Sequence, residues 1–383
     1  MQTIRLFYQD PYQTQFEAVV AETRVYKDKF QVRLTQTCFY PEGGGQPYDT
    51  GRLNDISVTE VHESDGEIWH TVSAPIEVGQ TVTGQIDWER RFDLMQQHSG
   101  EHIISGILHE MTGCDNVGFH LTPENVYIDL SLPLDIETLR EAETRANRYI
   151  WENHPIDISW PDPETLAAME YRSKKELTGD VRIVAFPGAD RCACCGTHVA
   201  SSGAIGQIRL LTVQNWKGGV RVEMACGKRA LEISREWMDE TLEISRSLSV
   251  KPNTAAAAVH RLESELSAVK MRAAALEESL FAVWAEQYSG EGNLVLFKDG
   301  LSPDSLRKLT GCLIEKRQGR CAVFSGSDQE GYKYAVAEKD GDLRALVKEM
   351  NAALNGRGGG KPFFAQGSVQ ATKEQIEQFF AGK

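Results

Sequence analysis

At 383 residues the chain exceeds what one ordinary hydrophobic core supports, so roughly two to four domains are expected. Its 41% hydrophobic and 25% charged residues describe a globular protein, and a net charge of −14 excludes coating nucleic acid through bulk charge. The deficit lies in residues 1–227, with 19 Lys and Arg against 33 Asp and Glu, so any contact with RNA has to be made by local patches. The first residues, MQTIRLFYQDPYQTQ, lack the basic and apolar segments of a signal peptide, and no stretch reaches the length of a membrane span. Three of the 8 cysteines fall within four residues, a clustering unlike a secreted disulfide scaffold; reduced thiols and a cytoplasmic location are expected.

In chain order, residues 1–88 read as a small antiparallel β-barrel, with β-rich runs at 3–8, 16–25, 30–34, 68–72 and 81–88. A glycine-rich loop, FYPEGGGQP at 39–47, interrupts it. Gly43, Gly44 and Gly45 permit positive φ and close approach to a ligand, and the flanking Tyr40, Glu42 and Gln46 make a ligand-facing loop as reasonable as a plain hairpin tip. Residues 91–110, RFDLMQQHSGEHIISGILHE, read as a helix. His98 and His102 stand four apart on one face, the spacing that offers two nitrogens to one metal ion; two surface histidines at chance spacing is the competing reading. His109 shares the face but lies roughly 10 Å beyond His102, too far for the same ion.

A strand at 125–130 and an amphipathic helix at 135–153 follow. Arg172, Lys174 and Lys175 form a basic cluster, either a solvated face or a phosphate contact. RCACCGTH at 191–198 is a denser signal. Thiolate and imidazole together suit zinc, and Cys194 and His198 repeat the four-residue spacing of the histidine pair, so the two pairs can supply four ligands to one site; spacing alone leaves Cys192 and Cys195 open as the sulfur donor. Residues 228–290 are strongly helical, broken at Pro252. Leu262, Leu266, Val269, Ala273, Leu276, Leu280 and Val283 form a strict heptad seam, which implies a helical hairpin or a coiled-coil arm between two chains. Residues 291–383 alternate strands and helices as a compact α/β domain. They contain NGRGGGKP (355–362), which departs from a Walker A loop at Asn355 and Pro362; a phosphate-cradling loop and a helix C-cap followed by a loop are both open. The fold class is thus multidomain α+β: barrel at 1–88, an α/β two-layer domain at 89–227, arm at 228–290 and α/β domain at 291–383.

His98-Ser99-Gly100-Glu101-His102 also fits H-x-x-E-H, the signature of inverzincin peptidases, in which the Glu activates water. Such an enzyme needs a further acidic ligand and has no use for CCGTH. In combination, FYPEGGGQPYDTG (39–51), RRFDLMQQHSGEH (90–102), GFHL with ENVYIDL (118–130), CCGTH (194–198) and GGVRVEMACG (218–227) resemble the AlaX-type alanyl-tRNA editing proteins. GRGGGKPFFAQG (356–367) resembles the DHHA-type domain that follows in the long form. The resemblance implies an editing domain at 89–227 holding one Zn2+ per chain through His98, His102, Cys194 and His198. It implies hydrolysis of the aminoacyl ester of mischarged tRNA(Ala), with the seryl ester foremost and the glycyl ester second. Glu101, Gln46 and Thr197 are then candidates for catalysis or the pocket. Glu42, Gly43, Gly44, Gly45, Arg221, Lys228, Gly358, Gly359, Gly360 and Lys361 are candidates for substrate and RNA contacts. A homodimer through the arm and the C-terminal domain is expected, and a non-catalytic tRNA-binding protein with a structural zinc is the alternative from another class.

Overall fold

The computed structural model describes residues 2–173 and 179–381. The chain divides into two compact units, Met1–Leu242 and Glu243–Lys383, both mixing helices with sheets.

The first unit opens with β1 (Ile4–Arg5) and the short helix α1 (Leu6–Gln9), where a single strand over 3–8 is expected from sequence. Leu6 and Phe7 are consecutive and both buried, which an alternating half-exposed strand cannot achieve, and Asp10 N–H closes the helical turn on Leu6 O at 2.9 Å. Strands β2 (Gln15–Tyr26), β3 (Lys29–Leu34), β4 (Gln36–Thr37), β5 (Gly51–Leu53), β6 (Ile56–Ser64), β7 (Glu67–Val72) and β8 (Thr81–Ile86) follow. Six of them close into a barrel in the order β2-β3-β7-β6-β5-β8, filled by residues such as Phe16, Val20, Leu34, Leu53, Val61 and Ile68. β5 and β6 were not legible as strands, because β6 (ISVTEVHES) carries charge on its open face.

Between β4 and β5 the chain leaves the barrel as a tight hairpin. Gly43 and Gln46 exchange backbone hydrogen bonds at 3.1 and 2.9 Å, and Gly44 and Gly45 take the two positive-φ positions (59° and 83°) that such a two-residue turn requires. The tip is tightly packed: a Cβ on Gly44 would lie 2.7 Å from Cys195 Sγ, and one on Gly45 would lie 2.8 Å from the Phe119 ring.

Helix α2 (Trp88–Thr112) is capped by the Asp87 side chain, which accepts from Arg90 N–H, and ends at Gly113 in the left-handed conformation. From Leu94 to Leu108 every residue is buried, so its two histidines are interior groups: His98 is 2% and His102 3% exposed. Arg91, itself fully buried, ties the helix to the barrel side. Its guanidinium pairs with Asp49 and donates to Cys38 O at 2.6 Å and Pro11 O at 2.8 Å.

Next come β9 (Asn116–Leu121), β10 (Val126–Leu130), α3 (Ile136–Glu152), β11 (Asp157–Ser159), α4 (Pro163–Ala167), β12 (Ile183–Phe186), β13 (Asp190–Ala193), β14 (Ile208–Trp216) and β15 (Gly219–Cys226). A four-stranded sheet in the order β14-β15-β10-β9 shares one apolar core with α2 and α3, and a smaller sheet has the order β11-β12-β13. Helix α5 (Gly227–Ser247) leaves this unit.

The second unit contains α6 (Ala255–Gln287), β16 (Gly290–Glu291), β17 (Leu294–Phe297), α7 (Pro303–Lys316), β18 (Arg317–Gln318), β19 (Arg320–Ser327), β20 (Gly331–Glu338), α8 (Arg344–Ala353), β21 (Arg357–Lys361), β22 (Phe364–Val369) and α9 (Lys373–Phe380). Its sheet runs β17-β19-β20-β22-β21. The glycines expected in a loop, Gly358 to Gly360, lie in the edge strand β21, paired to β22 from Arg357↔Ser368 to Lys361↔Phe364. The Pro362-Phe363 turn folds the run back onto its neighbour, and backbone pairing needs no side chains. The heptad residues of α6 are exposed.

Candidate metal centre

Two segments build the site. Helix α2 presents His98 and His102 from one face into the interior, and the turn after β13 presents Cys194 and His198. Their ligand atoms all lie within 4.8 Å of one another. Cys194 Sγ is 3.4 Å from His98 Nε2 and 3.4 Å from His198 Nε2. Of the three clustered cysteines, Cys194 alone has its sulfur in this four-donor group. Cys192 is buried beside His102 and Asp190, and Cys195 is exposed, 3.8 Å from Tyr40 Oη.

Each imidazole is held by a different acceptor on its far nitrogen. His98 Nδ1 faces Gln46 Oε1 at 2.9 Å, His102 Nδ1 faces Asp190 Oδ2 at 2.8 Å, and His198 Nδ1 faces Ser99 Oγ at 3.1 Å. Proton-bearing Nδ1 atoms leave the Nε2 lone pairs pointing at the centre, the arrangement that prepares imidazoles for a cation. The Gln46 amide is oriented in turn by Thr197, whose N–H donates to Oε1 at 3.1 Å and whose Oγ1 accepts from Nε2 at 2.8 Å. Asp190 is gripped by Arg172 through Nε at 2.7 Å and Nη2 at 2.8 Å. Gly196 is required by close approach, since a Cβ there would lie 2.2 Å from His98 Cε1.

Electrostatics agree with the donor set. Burial pushes the Cys194 thiol up, but His98, His198 and His102 around it more than reverse this and hold it well below its ordinary value. Burial opposes charge on His102, but Asp190 and Cys194 raise it well above the ordinary imidazole value. Burial drops His198 to about 3 despite Cys194. Phe119 and Phe186 line the imidazoles, with ring centroids 5.1 Å from His98 and 5.3 Å from His102. A buried group of one thiolate and three imidazoles in apolar walls can bind a borderline-soft divalent cation once His102 gives up its extra proton.

Other candidates fall in varied places. Glu101 is buried; its Oε1 accepts from Ser105 Oγ at 2.9 Å and from Asn116 Nδ2, and its Oε2 is 3.9 Å from His102 Nε2. The Gly43–Gly45 tip lies against Cys195 and Phe119, bringing Gln46 to the centre, while Glu42 is exposed on the same turn. Arg221 is held by Asp129 through two hydrogen bonds of 2.6 and 2.8 Å and stacks on Trp216 at 3.9 Å. Lys228 is exposed, 3.7 Å from Glu89. Lys361 is exposed on β21, and Gly358, Gly359 and Gly360 help to line a surface cavity of about 290 Å³ with Arg344, Lys348 and Asn351. His109 pairs with Asp115 at 3.0 Å, away from the centre. Lys174 and Lys175 lie outside the described residues. Sequence reasoning missed Asp190, Ser99 and Asn116, and it read Arg172 as part of a solvated face or a phosphate contact where the structure engages it with Asp190. A carboxylate four residues before Cys194 was the available hint. Among the described residues no helix is long and apolar enough to cross a membrane.

Three protein families match this chain. Residues 6–90 match tRNA synthetases class II (A), residues 181–223 match the threonyl and alanyl tRNA synthetase second additional domain, and residues 290–381 match the DHHA1 domain. The alanyl-tRNA editing protein AlaX-L of Pyrococcus horikoshii is 29% identical, over 97% of this chain and 96% of its own length. The alanine–tRNA ligases of Pyrococcus abyssi and Ignicoccus hospitalis are 33% and 31% identical over 98% and 94% of this chain, which spans only 43% and 40% of their lengths. A solved structure, the C-Ala domain from Aquifex aeolicus alanyl-tRNA synthetase, matches 23% of this chain at 18% identity and a TM-score of 0.20, too slight a likeness to argue from. The resemblance carried by the motifs therefore holds along the chain, and this protein is a relative, over nearly all of its length, of the AlaX-type alanyl-tRNA editing proteins.

Proposed function

We propose that this protein is a zinc-dependent hydrolase that edits mischarged tRNA(Ala) in trans, with Ser-tRNA(Ala) the foremost substrate and Gly-tRNA(Ala) the second. The observation that carries this reading is the convergence of His98, His102, Cys194 and His198, each histidine already oriented through its Nδ1. The donor set fits zinc. A tetrahedral ion with nitrogen at about 2.0 Å and sulfur at about 2.3 Å requires an N···S edge of roughly 3.5 Å, and two such edges measure 3.4 Å here. Relationship to an alanyl-tRNA editing protein over 97% of the chain supports the substrate class.

When bound, zinc supplies positive charge that orients and polarises an ester carbonyl or a water molecule. The chain's own residues do the rest. Gln46 and Thr197 lock the hairpin tip over the centre, so Gly43 to Gly45 offer backbone to the aminoacyl group or the terminal adenosine, with Glu42 beside them. Phe119 and Phe186 keep the imidazole faces away from bulk water. Of the two roles open to Glu101, base or pocket residue, its burial and its bonds to Ser105 and Asn116 favour the pocket wall. The leaving group is a ribose hydroxyl, so expulsion needs no strong acid. Arg221, Lys228, Lys361 and Gly358 to Gly360 are assigned to RNA contact. A peptidase reading loses its footing, because thiolate and imidazole stand where an acidic third ligand is needed and Glu101 is already engaged.

The test is deacylation of Ser-tRNA(Ala) and Gly-tRNA(Ala) by purified protein, before and after chelation and again after zinc is restored. Loss of ester that stops with the chelator and returns with zinc is expected. Intact ester in the presence of zinc-loaded protein overturns the reading, and tight tRNA binding without turnover identifies a binding protein instead.

A further inference from the structure

Arg182 is 5% exposed and stands directly before β12, alongside the end of β13 from which the Cys194 turn departs. That turn, Cys194 to His198, belongs to no strand, and among the described residues neither Cys194 O nor Gly196 O accepts from a backbone N–H. One side-chain nitrogen serves both: Arg182 Nη1 donates to Cys194 O at 2.8 Å and to Gly196 O at 2.9 Å. Arg182 O in turn accepts from Cys194 N–H at 3.1 Å. Cys194 is thus held at its amide and at its carbonyl by the same residue. Tyr8 of α1 covers the guanidinium, its ring centroid 5.0 Å from Cζ. The Nε–H is buried without a partner among the described residues, so the buried charge spends its bonding on the turn.

The sequence Cys192-Ala193-Cys194-Cys195 shows why this turn needs holding. Three thiols within four residues offer a soft cation three sulfurs, and the four-donor group uses one of them. Adjacent side chains on extended backbone point to opposite sides. Cys194 Sγ lies 3.4 Å from the Nε2 atoms of both His98 and His198. Cys195 Sγ is turned away, 3.8 Å from Tyr40 Oη and against Gly44 at the hairpin tip. The carbonyls of Cys194 and Gly196 bracket Cys195, so a nitrogen that fixes both fixes how the peptide units between them are turned. Released, those units can rotate and bring the neighbouring thiol toward the imidazoles.

We propose that Arg182 is a positioning residue that selects the sulfur donor of the centre. Holding Cys194 O and Gly196 O on one nitrogen keeps Cys194 turned to the histidines and Cys195 turned out. The selection rests on the zinc-site reading above, and it is read on the thiols, with no tRNA present.

The experiment uses the full-length chain and Zn2+, and compares the wild type, Arg182→Met and Arg182→Lys, each with and without Cys195→Ser. Zinc affinity is measured by competition with a chromophoric chelator, and circular dichroism checks folding. Iodoacetamide labelling within the tryptic peptide 192–209 is located by mass spectrometry. In the wild type, zinc is expected to protect Cys194 and to leave Cys195 labelled, and Cys195→Ser to change zinc affinity less than about twofold. In Arg182→Met, affinity falls about 10–100-fold and protection spreads from Cys194 to Cys195. Cys195→Ser then lowers affinity about tenfold further, because the substitute donor is gone; that coupling is what a merely loosened fold does not produce. Arg182→Lys keeps the charge without the planar fork and falls between the two, and it carries the same test where Arg182→Met does not fold. Wild-type affinity with protection confined to Cys194 in the Arg182 variants overturns the proposal, as does a loss of affinity that Cys195→Ser does not deepen. A wild type that takes up no zinc overturns it together with the site reading. Absence of deacylation, by contrast, falls on the proposed function alone.

Discussion

Asp190 Oδ2 accepts from His102 Nδ1 at 2.8 Å while both its oxygens are gripped by Arg172. The carboxylate thus fixes the ring that shares α2 with His98, and the guanidinium fixes the carboxylate. Acceptors behind metal-ligating imidazoles set ring orientation and basicity, and losing one typically costs about 10–100-fold in metal affinity. Asp190→Ala is expected to lower zinc affinity by that factor, measured by competition against a chromophoric chelator. Arg172→Ala is expected to act in the same direction but more weakly. An unchanged affinity in Asp190→Ala removes Asp190 from the site's support.

Gly196 lies beneath His98. A methyl there would sit 2.2 Å from Cε1 and 2.9 Å from Gln46 Oε1, so either the ring or the amide has to move. Gly196→Ala is therefore expected to leave the far-ultraviolet spectrum intact, to reduce bound zinc well below one per chain, and to cut deacylation at least about tenfold. Metal analysis and the tRNA assay on one preparation check both halves.

Glu101 tests the division between a base and a pocket residue. With Oε1 engaged by Ser105 and Asn116, the Glu101→Gln amide keeps a similar shape and one acceptor oxygen. Zinc content is expected to be unchanged and deacylation to fall less than about tenfold. A loss of about 10³-fold or more at full zinc occupancy assigns Glu101 to proton transfer instead.

His70 gives the barrel a pH dependence separate from the metal centre. It is fully buried between Thr37 Oγ1 at 2.8 Å and Val32 O at 3.2 Å, and burial lowers its pKa to about 4 from the ordinary 6.5. The unfolded chain takes up a proton near pH 6.5 that the folded chain refuses until about pH 4. The contribution is therefore intact above pH 6.5, shrinks as pH falls, and is gone below about 4, on the order of 3 kcal/mol in all. Urea unfolding at pH 7 and pH 4.5 is expected to show the loss, and His70→Gln to show a shallower one. Equal slopes in the two proteins would exclude His70 as the source.

Much of the site was legible because helical periodicity turns sequence spacing into position. His98 and His102 at i and i+4 had to share a face, and RCACCGTH concentrated soft donors too densely for an ordinary core. Burial decided what spacing left open: α2 is enclosed along Leu94 to Leu108, so its histidines are interior, and of the neighbouring thiols Cys194 is the one grouped with both of them, while Cys192 lies beside His102 alone. Asp190 escaped notice because its role depends on β12 and β13 pairing to set it opposite α2, and no local pattern encodes that pairing. The strand at Gly358 to Gly360 was hidden for a related reason. Glycine has no strand preference of its own, and the ladder with β22 imposes one.

Arg91 carries a consequence for how the first unit comes apart. Its buried charge is balanced by Asp49 and by the carbonyls of Cys38 and Pro11, three points that belong to the barrel side of the chain. Shifting α2 away while the rest of the packing stays closed would leave Asp49 without its counter-charge, and shifting the barrel side would leave Arg91 without its own; either costs several kcal/mol. Partial opening is thus penalised from both directions. Architecturally the barrel and the histidine-bearing layer are two objects, but in hydrogen exchange they should behave as one cooperative block, so the candidate metal centre inherits its rigidity from a barrel that contributes none of its four donor residues.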